Sequence, residues 1–171
     1  MNKEEIILLN EILDGKEKRA LIQRELLDKY QKVLISCTLN IPGIYKLDEL
    51  YKKAHIIEVV ALEKELYNNG IRVIHKRKNI SKAGYETFFV VDCNLEIAKK
   101  ITIFIEENNK LGRLFDLDVF DEKQNQLSRS DLGYEKRKCL ICNKDAVVCA
   151  RNKTHSIEEV LENINKLIER Y

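Results

Sequence analysis

Asp116 and Asp118 stand one residue apart in the segment Gly112-Arg113-Leu114-Phe115-Asp116-Leu117-Asp118-Val119. In a strand, residues two apart share a face, so the two carboxylates project together while Phe115, Leu117 and Val119 face the other way. Such a pair repels itself unless a cation lies between, and Mg²⁺ suits it because that ion combines a few carboxylates with substrate phosphates and water. Phosphoryl and nucleotidyl transfer need this arrangement, in which metal neutralises a pyrophosphate leaving group and an attacking hydroxyl is held in line. Gly112 would let the backbone approach a phosphate, and Arg113 offers it a planar fork. An exposed strand edge with two solvated aspartates gives the same Asp-x-Asp pattern, so the pair alone does not decide.

A second constellation is Cys139-x2-Cys142-x6-Cys149-x5-His155. Three thiols and an imidazole can close a tetrahedral zinc site, and the first pair has knuckle spacing. The surrounding Leu140, Ile141, Ala146, Val147, Val148 and Ala150 are apolar. We therefore rank buried packing of the cysteines ahead of zinc. Arg151, Lys153 and His155 precede a capped helix whose free N–H groups favour anions, which makes this turn a candidate phosphate cradle. A third cluster, Lys76, Arg77, Lys78 and Lys82, is predicted on a hairpin tip, where it either grips an anionic partner or blunts a sheet edge.

The elements that must position these residues follow from periodicity. Apolar spacing predicts helices between Lys3 and Tyr30, with Gly15 as a break between two of them. A strand runs from Lys32 to Asn40 and stops at Ile41-Pro42-Gly43; a helix from Leu47 to Asn69 ends at Gly70. Ile71–Lys78 and Tyr85–Cys93 read as a hairpin around a polar turn at 79–84, Asn94 caps the next helix, and Arg113–Phe120 is the last strand. The order strand, helix, strand, strand, helix, strand predicts an α+β fold, the ferredoxin-like split βαβ core (βαββαβ) of an antiparallel sheet with both helices on one face. Ser156-x-x-Glu159 is a capping box for a final helix. The chain thus reads as a single domain: a helical arm at 1–31, the sheet core at 32–121, and a Cys-rich appendage with a helix at 122–171.

Composition narrows the class. The 171 residues are 44% hydrophobic and 34% charged with a formal net charge of +2, which argues against a nucleic-acid partner. The opening MNKEEIILLN has acids where a secretory signal has bases, and no apolar run approaches the ~18 residues that span a membrane. With five cysteines, an odd number, this predicts a cytoplasmic protein with no membrane contact.

Taken together, Asn40-Ile41-Pro42-Gly43-x-x-Lys46, Gly84-x-Glu86, Leu111-Gly112-Arg113-Leu114-x-Asp116-Leu117-Asp118-Val119, Ser128-Arg129-x-Asp131-Leu132-Gly133 and Arg137-x-Cys139-Leu140-x-Cys142 through Cys149-Ala150-Arg151 to His155-Ser156 resemble the citrate lyase holo-acyl-carrier-protein synthase family. The resemblance covers nearly the whole chain. It implies a nucleotidyltransferase-like active site and a transferase moving a phosphoribosyl-dephospho-coenzyme A unit from a triphosphoribosyl-dephospho-coenzyme A donor to a serine of the apo citrate lyase acyl carrier protein, with release of pyrophosphate. It further implies that Gly112, Arg113, Asp116 and Asp118 form the metal and phosphate site and that Arg129, Arg151 and His155 lie near substrate. Carrier proteins are acidic as a class, which assigns Lys76, Arg77, Lys78 and Lys82 to carrier docking. One departure is visible: the family tends to have His-Pro before Leu-Gly-Arg, where this chain has Asn109-Lys110. Two competing readings are a zinc-stabilised nucleic-acid-binding module and a noncatalytic assembly factor that holds the carrier.

Overall fold

The computed structural model describes residues 3–171. Four strands, β1 (Val33–Leu39), β2 (Val73–Ser81), β3 (Gly84–Val91) and β4 (Phe115–Phe120), form one antiparallel sheet in the order β2-β3-β1-β4. Helices α2 (Glu49–Asn68) and α3 (Leu95–Asn108) make the two crossovers, so the element order and strand order are those of the expected split βαβ core. Both helices lie on one sheet face, where Ala54, Leu62 and Leu66 of α2 and Ala98, Ile101 and Ile105 of α3 pack on Ile35, Cys37, Phe89, Leu117 and Val119. Asp48 and Asn94 start them by accepting from Leu50 N and Glu96 N at 2.7 and 2.8 Å. Gly70, at φ +65°, ends α2 as expected, because the left-handed conformation suits glycine. Helix α5 (Ile157–Glu169), capped by Ser156, adds Ile164 and Ile168 to the same core.

The N-terminal arm is one continuous helix, α1 (Lys3–Tyr30), and not two. Gly15 does not break it. A Cβ there would sit 2.5 Å from Ser81 Oγ and 2.9 Å from Ala83 Cβ, so the glycine serves a close approach of α1 to the β2–β3 turn. The helix stops at Gln31, at φ +50°, whose side chain caps the carbonyls of Leu27 and Asp28. Arm residues Ile22, Leu26 and Leu27 bury Leu34, Phe88 and Val90 on the sheet face opposite α2 and α3. That second layer explains why every residue of β1 but the last is buried.

Strand boundaries differ from the periodicity reading: β2 starts at Val73 and not Ile71, β3 ends at Val91 and not Cys93, and two further shifts have a visible cause. β2 runs on through Asn79 and Ile80, leaving a two-residue loop between paired Ser81 and Gly84. Asn79 stays in the strand because its amide donates to the buried Glu86 carboxylate at 2.7 Å. β4 begins at Phe115, two residues late, because Leu114 N and Phe115 N close turns onto Leu111 O and Gly112 O. Beyond β1, the outer edge of β4 meets side chains of α3: Glu106 accepts from Leu117 N at 3.3 Å, and Lys99 Nζ donates to Leu117 O at 3.3 Å.

Candidate active site

Burial alternates along β4, with Phe115, Leu117 and Val119 inside and Asp116 and Asp118 half-buried, as the period of two requires. Thr38 stands opposite Asp116 and Ser36 opposite Asp118, so these four side chains share one face. It is the face beneath α1. Past the apolar contacts of Leu26 and Leu27 the interface turns polar: Gln23 Nε2 donates to Ser36 Oγ at 3.1 Å, and Arg19 Nε pairs with Glu86 at 2.6 Å. The Glu86 side chain is fully buried and also accepts from Asn79. A buried carboxylate held this way fixes Arg19 over the sheet.

Both aspartates have polar partners, and Thr38 Oγ1 donates across the strands to Asp116 Oδ2 at 3.5 Å. Arg137 Nη1 lies 3.3 Å from Asp116 Oδ1, and its other nitrogen donates to the carbonyls of Arg113 and Phe115. Gln126 Nε2 donates to Asp118 Oδ1 at 2.6 Å. Burial, and then the charge of Asp116, pushes the Asp118 carboxyl up to about 6. Lys46 is half-buried and donates to Ile41 O; burial and the charges of Lys16 and Arg19 lower its pKa. Arg137 thus meets Asp116 directly, while the charges of Lys99 and Arg19 act on Asp118 from α3 and from the arm.

On the opposite face a buried relay supports β4. Glu58 accepts from Asp116 N at 3.3 Å and meets His55 Nδ1 at 2.9 Å, while His55 Nε2 lies 2.9 Å from Thr87 Oγ1. Burial drives the Glu58 pKa well up and that of His55 down to about 4. Both directions favour the neutral forms, with the Glu58 acid facing Nδ1 and the Nε2 proton directed at Thr87 Oγ1.

A cavity of about 540 Å³ adjoins the site, lined largely by apolar groups of the appendage and α5. Arg113, Arg137, Lys138 and Lys153 bring positive charge to its wall, and Arg137 joins it to Asp116.

The structure places the other expected residues unevenly. Gly112 is required by α3: a Cβ there would fall 2.2 Å from the carbonyl oxygen of Glu106. Arg113 lines the cavity and donates to Cys139 O. Arg129 is committed elsewhere, to Glu106 at 3.2 Å, Glu107 at 3.5 Å and the Glu135 carbonyl, behind the outer edge of β4. Arg151 is exposed at the end of the short helix α4 (Ala146–Arg151) and does not line the cavity, whereas Lys153 and His155 do. The basic hairpin is split: Lys76 pairs with Glu63 and Arg77, on the other face, with Glu25, leaving Lys78 and Lys82 exposed and without an ion pair among the described residues. Cys139, Cys142, Cys149 and His155 converge, their ligand atoms all within 4.8 Å of one another.

Arg19, Ser36, Thr38 and Lys46 went unassigned by sequence reasoning. A signal existed for the arm, since Gly15, Arg19 and Gln23 repeat every four residues within an otherwise apolar stripe. No helix among the described residues is long and apolar enough to cross a membrane.

Residues 7–171 match the family model described as apo-citrate lyase phosphoribosyl-dephospho-CoA transferase. Probable apo-citrate lyase phosphoribosyl-dephospho-CoA transferases of Vibrio cholerae and Streptococcus pyogenes are each 33% identical, over 96% and 98% of this chain and 93% and 88% of their own lengths. The Haemophilus influenzae protein named Protein CitXG is 34% identical over 96% of this chain, which spans 36% of that longer relative. Agreement of that extent goes beyond a shared motif, and the chain belongs to the family of apo-citrate lyase phosphoribosyl-dephospho-CoA transferases.

Proposed function

We propose that this chain is a nucleotidyltransferase-type enzyme. It transfers the phosphoribosyl-dephospho-coenzyme A group from a triphosphoribosyl-dephospho-coenzyme A donor to a serine of the apo citrate lyase acyl carrier protein. Family membership sets aside the nucleic-acid-binding module and the noncatalytic assembly factor. The observation that carries the mechanism is the pair Asp116 and Asp118 on one strand face, with Arg137 on Asp116, the charges of Arg19 and Lys99 acting on Asp118, and Arg137 joining the pair to the cavity.

The serine Oγ attacks the α-phosphorus of the donor triphosphate. A new P–O ester bond forms as the bond to the bridging β-phosphate oxygen breaks; pyrophosphate leaves and the hydroxyl proton is released. Two half-buried carboxylates, one raised to about 6 by burial and by its neighbour, suit a divalent cation, so Asp116 and Asp118 would hold Mg²⁺. When bound, that ion supplies charge neutralisation at the triphosphate. Arg137, held by the Arg113 and Phe115 carbonyls, is preorganised to face charge that develops on the leaving group. Arg19 and Lys46 reach the same phosphates from the arm and from the turn after β1. The cavity accepts the non-reacting portion of the donor, with Arg113 and Lys153 turned toward its phosphates. On the hairpin, Lys78 and Lys82 steer the acidic carrier, and Lys76 and Arg77 add to the field while holding Glu63 and Glu25.

The test is to mix the protein with apo carrier, the triphosphoribosyl donor and Mg²⁺, and to follow carrier mass and pyrophosphate. A mass gain equal to the transferred group with one pyrophosphate per carrier is expected. An unmodified carrier in the presence of competent donor refutes the proposal.

A further inference from the structure

We infer that Cys139, Cys142, Cys149 and His155 form a closed site for one structural zinc ion, which holds the appendage against the active site. Two independent observations converge on it. The first is ligand geometry. A tetrahedral zinc with Zn–S near 2.3 Å and Zn–N near 2.0 Å places its ligand atoms about 3.5–3.8 Å apart. Here Cys142 Sγ lies 3.4 Å from Cys149 Sγ and 3.1 Å from His155 Nε2, and all four ligand atoms fall within 4.8 Å of one another. The thiols are free and not disulfide-bonded. Cys139 N donates to Lys144 O at 2.7 Å, and Lys144 N to Cys142 O, which folds the C-x2-C pair into a tight turn with both sulfurs on one side. His155 Nδ1 faces Glu159 Oε2 at 3.4 Å, a carboxylate that orients the ring and leaves Nε2 toward the thiols.

The second observation is how small the appendage's apolar core is, with Leu140 packed only partly buried against the main core. Between residues 122 and 156 only Cys139 and Cys149 are buried, and the regular structure is one three-residue 3-10 turn and the six-residue α4. A segment of this length with so little buried apolar surface gains most from a cross-link that holds one conformation, and metal ligation supplies folding free energy directly. With four protein ligands and no open position, the site is structural and not catalytic. It also takes His155 out of the substrate-binding set. What it anchors matters for the chemistry. The Cys139 carbonyl receives Arg113, and Arg137, two residues before that cysteine, reaches Asp116. Loss of the metal therefore frees Arg137 while leaving the sheet intact.

The inference stands apart from the proposed activity, because its primary readout is the metal. Elemental analysis of the protein purified without chelator should find about one zinc per chain, and cobalt substitution should give the intense thiolate-to-metal absorption of a tetrahedral thiolate site. Cys142→Ser should lose both signals and Cys93→Ser neither, with far-UV circular dichroism reporting that the sheet core stays folded in each. Chelation should lower the Tm of the wild type but not of Cys142→Ser. Substoichiometric metal, below about a tenth of an equivalent, with no cobalt–thiolate absorption would overturn the inference. So would a Cys142–Cys149 disulfide in protein purified under reducing conditions, or a Cys142→Ser variant that keeps its zinc.

Discussion

Replacing Glu58 by Gln should change how stability depends on pH without changing the fold. In the native protein the buried pair holds one proton across the neutral range, since burial keeps His55 neutral down to about 4 and keeps Glu58 protonated well above its ordinary range. In the unfolded chain His55 titrates near 6.5 and Glu58 near 4.5. Between those two values the unfolded pair also holds one proton, on the imidazole, so the pair contributes no slope. Above about 6.5 the unfolded pair gives up that proton and the native pair does not, so native stability falls by ~1.4 kcal/mol per pH unit. Below about 4.5 the unfolded pair takes up a second proton and stability falls again. For as long as the native pair keeps its proton, each pH unit above about 6.5 lowers Tm by roughly 3–6 °C for a domain of this size. Glutamine keeps an acceptor for Asp116 N and a donor for His55 Nδ1, but carries no ionisable proton. Urea denaturation at pH 5.5, 6.5 and 8 should therefore show a steeper alkaline decline for the wild type than for Glu58→Gln. Parallel curves for the two proteins, or a wild type that gains stability from pH 6.5 to 8, would refute the neutral-pair assignment.

Other perturbations test the site and its supports. Asp116→Asn and Asp118→Asn should each fold normally yet lose ~3–5 kcal/mol of transition-state stabilisation, a fall in kcat on the order of 10²–10⁴, measured by carrier loading. Loading at near wild-type rates would reduce the pair to a solvated strand edge. Gly112→Ala places a methyl against the Glu106 backbone and should cost ~3 kcal/mol or more, read from denaturant midpoints. Neutralising Lys78 and Lys82 together should raise the KM for carrier and flatten its salt dependence with the donor KM unchanged, since exposed charges are screened beyond roughly 8 Å at physiological salt. A rise in donor KM alone would assign the hairpin to the donor instead.

What the sequence made legible was whatever obeys a local period. The alternation Phe115 to Phe120 put both aspartates on one face, and Asn94, Asn69-Gly70 and Ser156 marked helix ends through bonds spanning a few residues. Long-range partners left no such trace. Arg19 meets Glu86 across 67 residues and Arg137 meets Asp116 across 21, and nothing near either arginine names its carboxylate. Gly15 was misread as a helix break, and the steric demand at Gly112 went unseen, for one reason. Gly15 and Gly112 are demanded by distant backbone and side chains that approach them, while a local reading can see only turns, breaks and ligands. Asn79 was taken for a turn residue because its service to Glu86 is a tertiary contact. Helix α4, six residues capped by Asp145, is too short to show a period.

The outer edge of β4 bears on how an acceptor can reach Asp116 and Asp118. Many proteins capture an extended peptide by letting it join a sheet as one more strand. Here Leu117 offers its N–H and C=O to Glu106 and Lys99, so the edge nearest the aspartates is already occupied by side chains of α3. Arg129 braces that closure by holding Glu106 from behind. A serine-bearing segment cannot then slide in alongside β4. On the proposed assignment of the site, it would have to reach the aspartates over the sheet face.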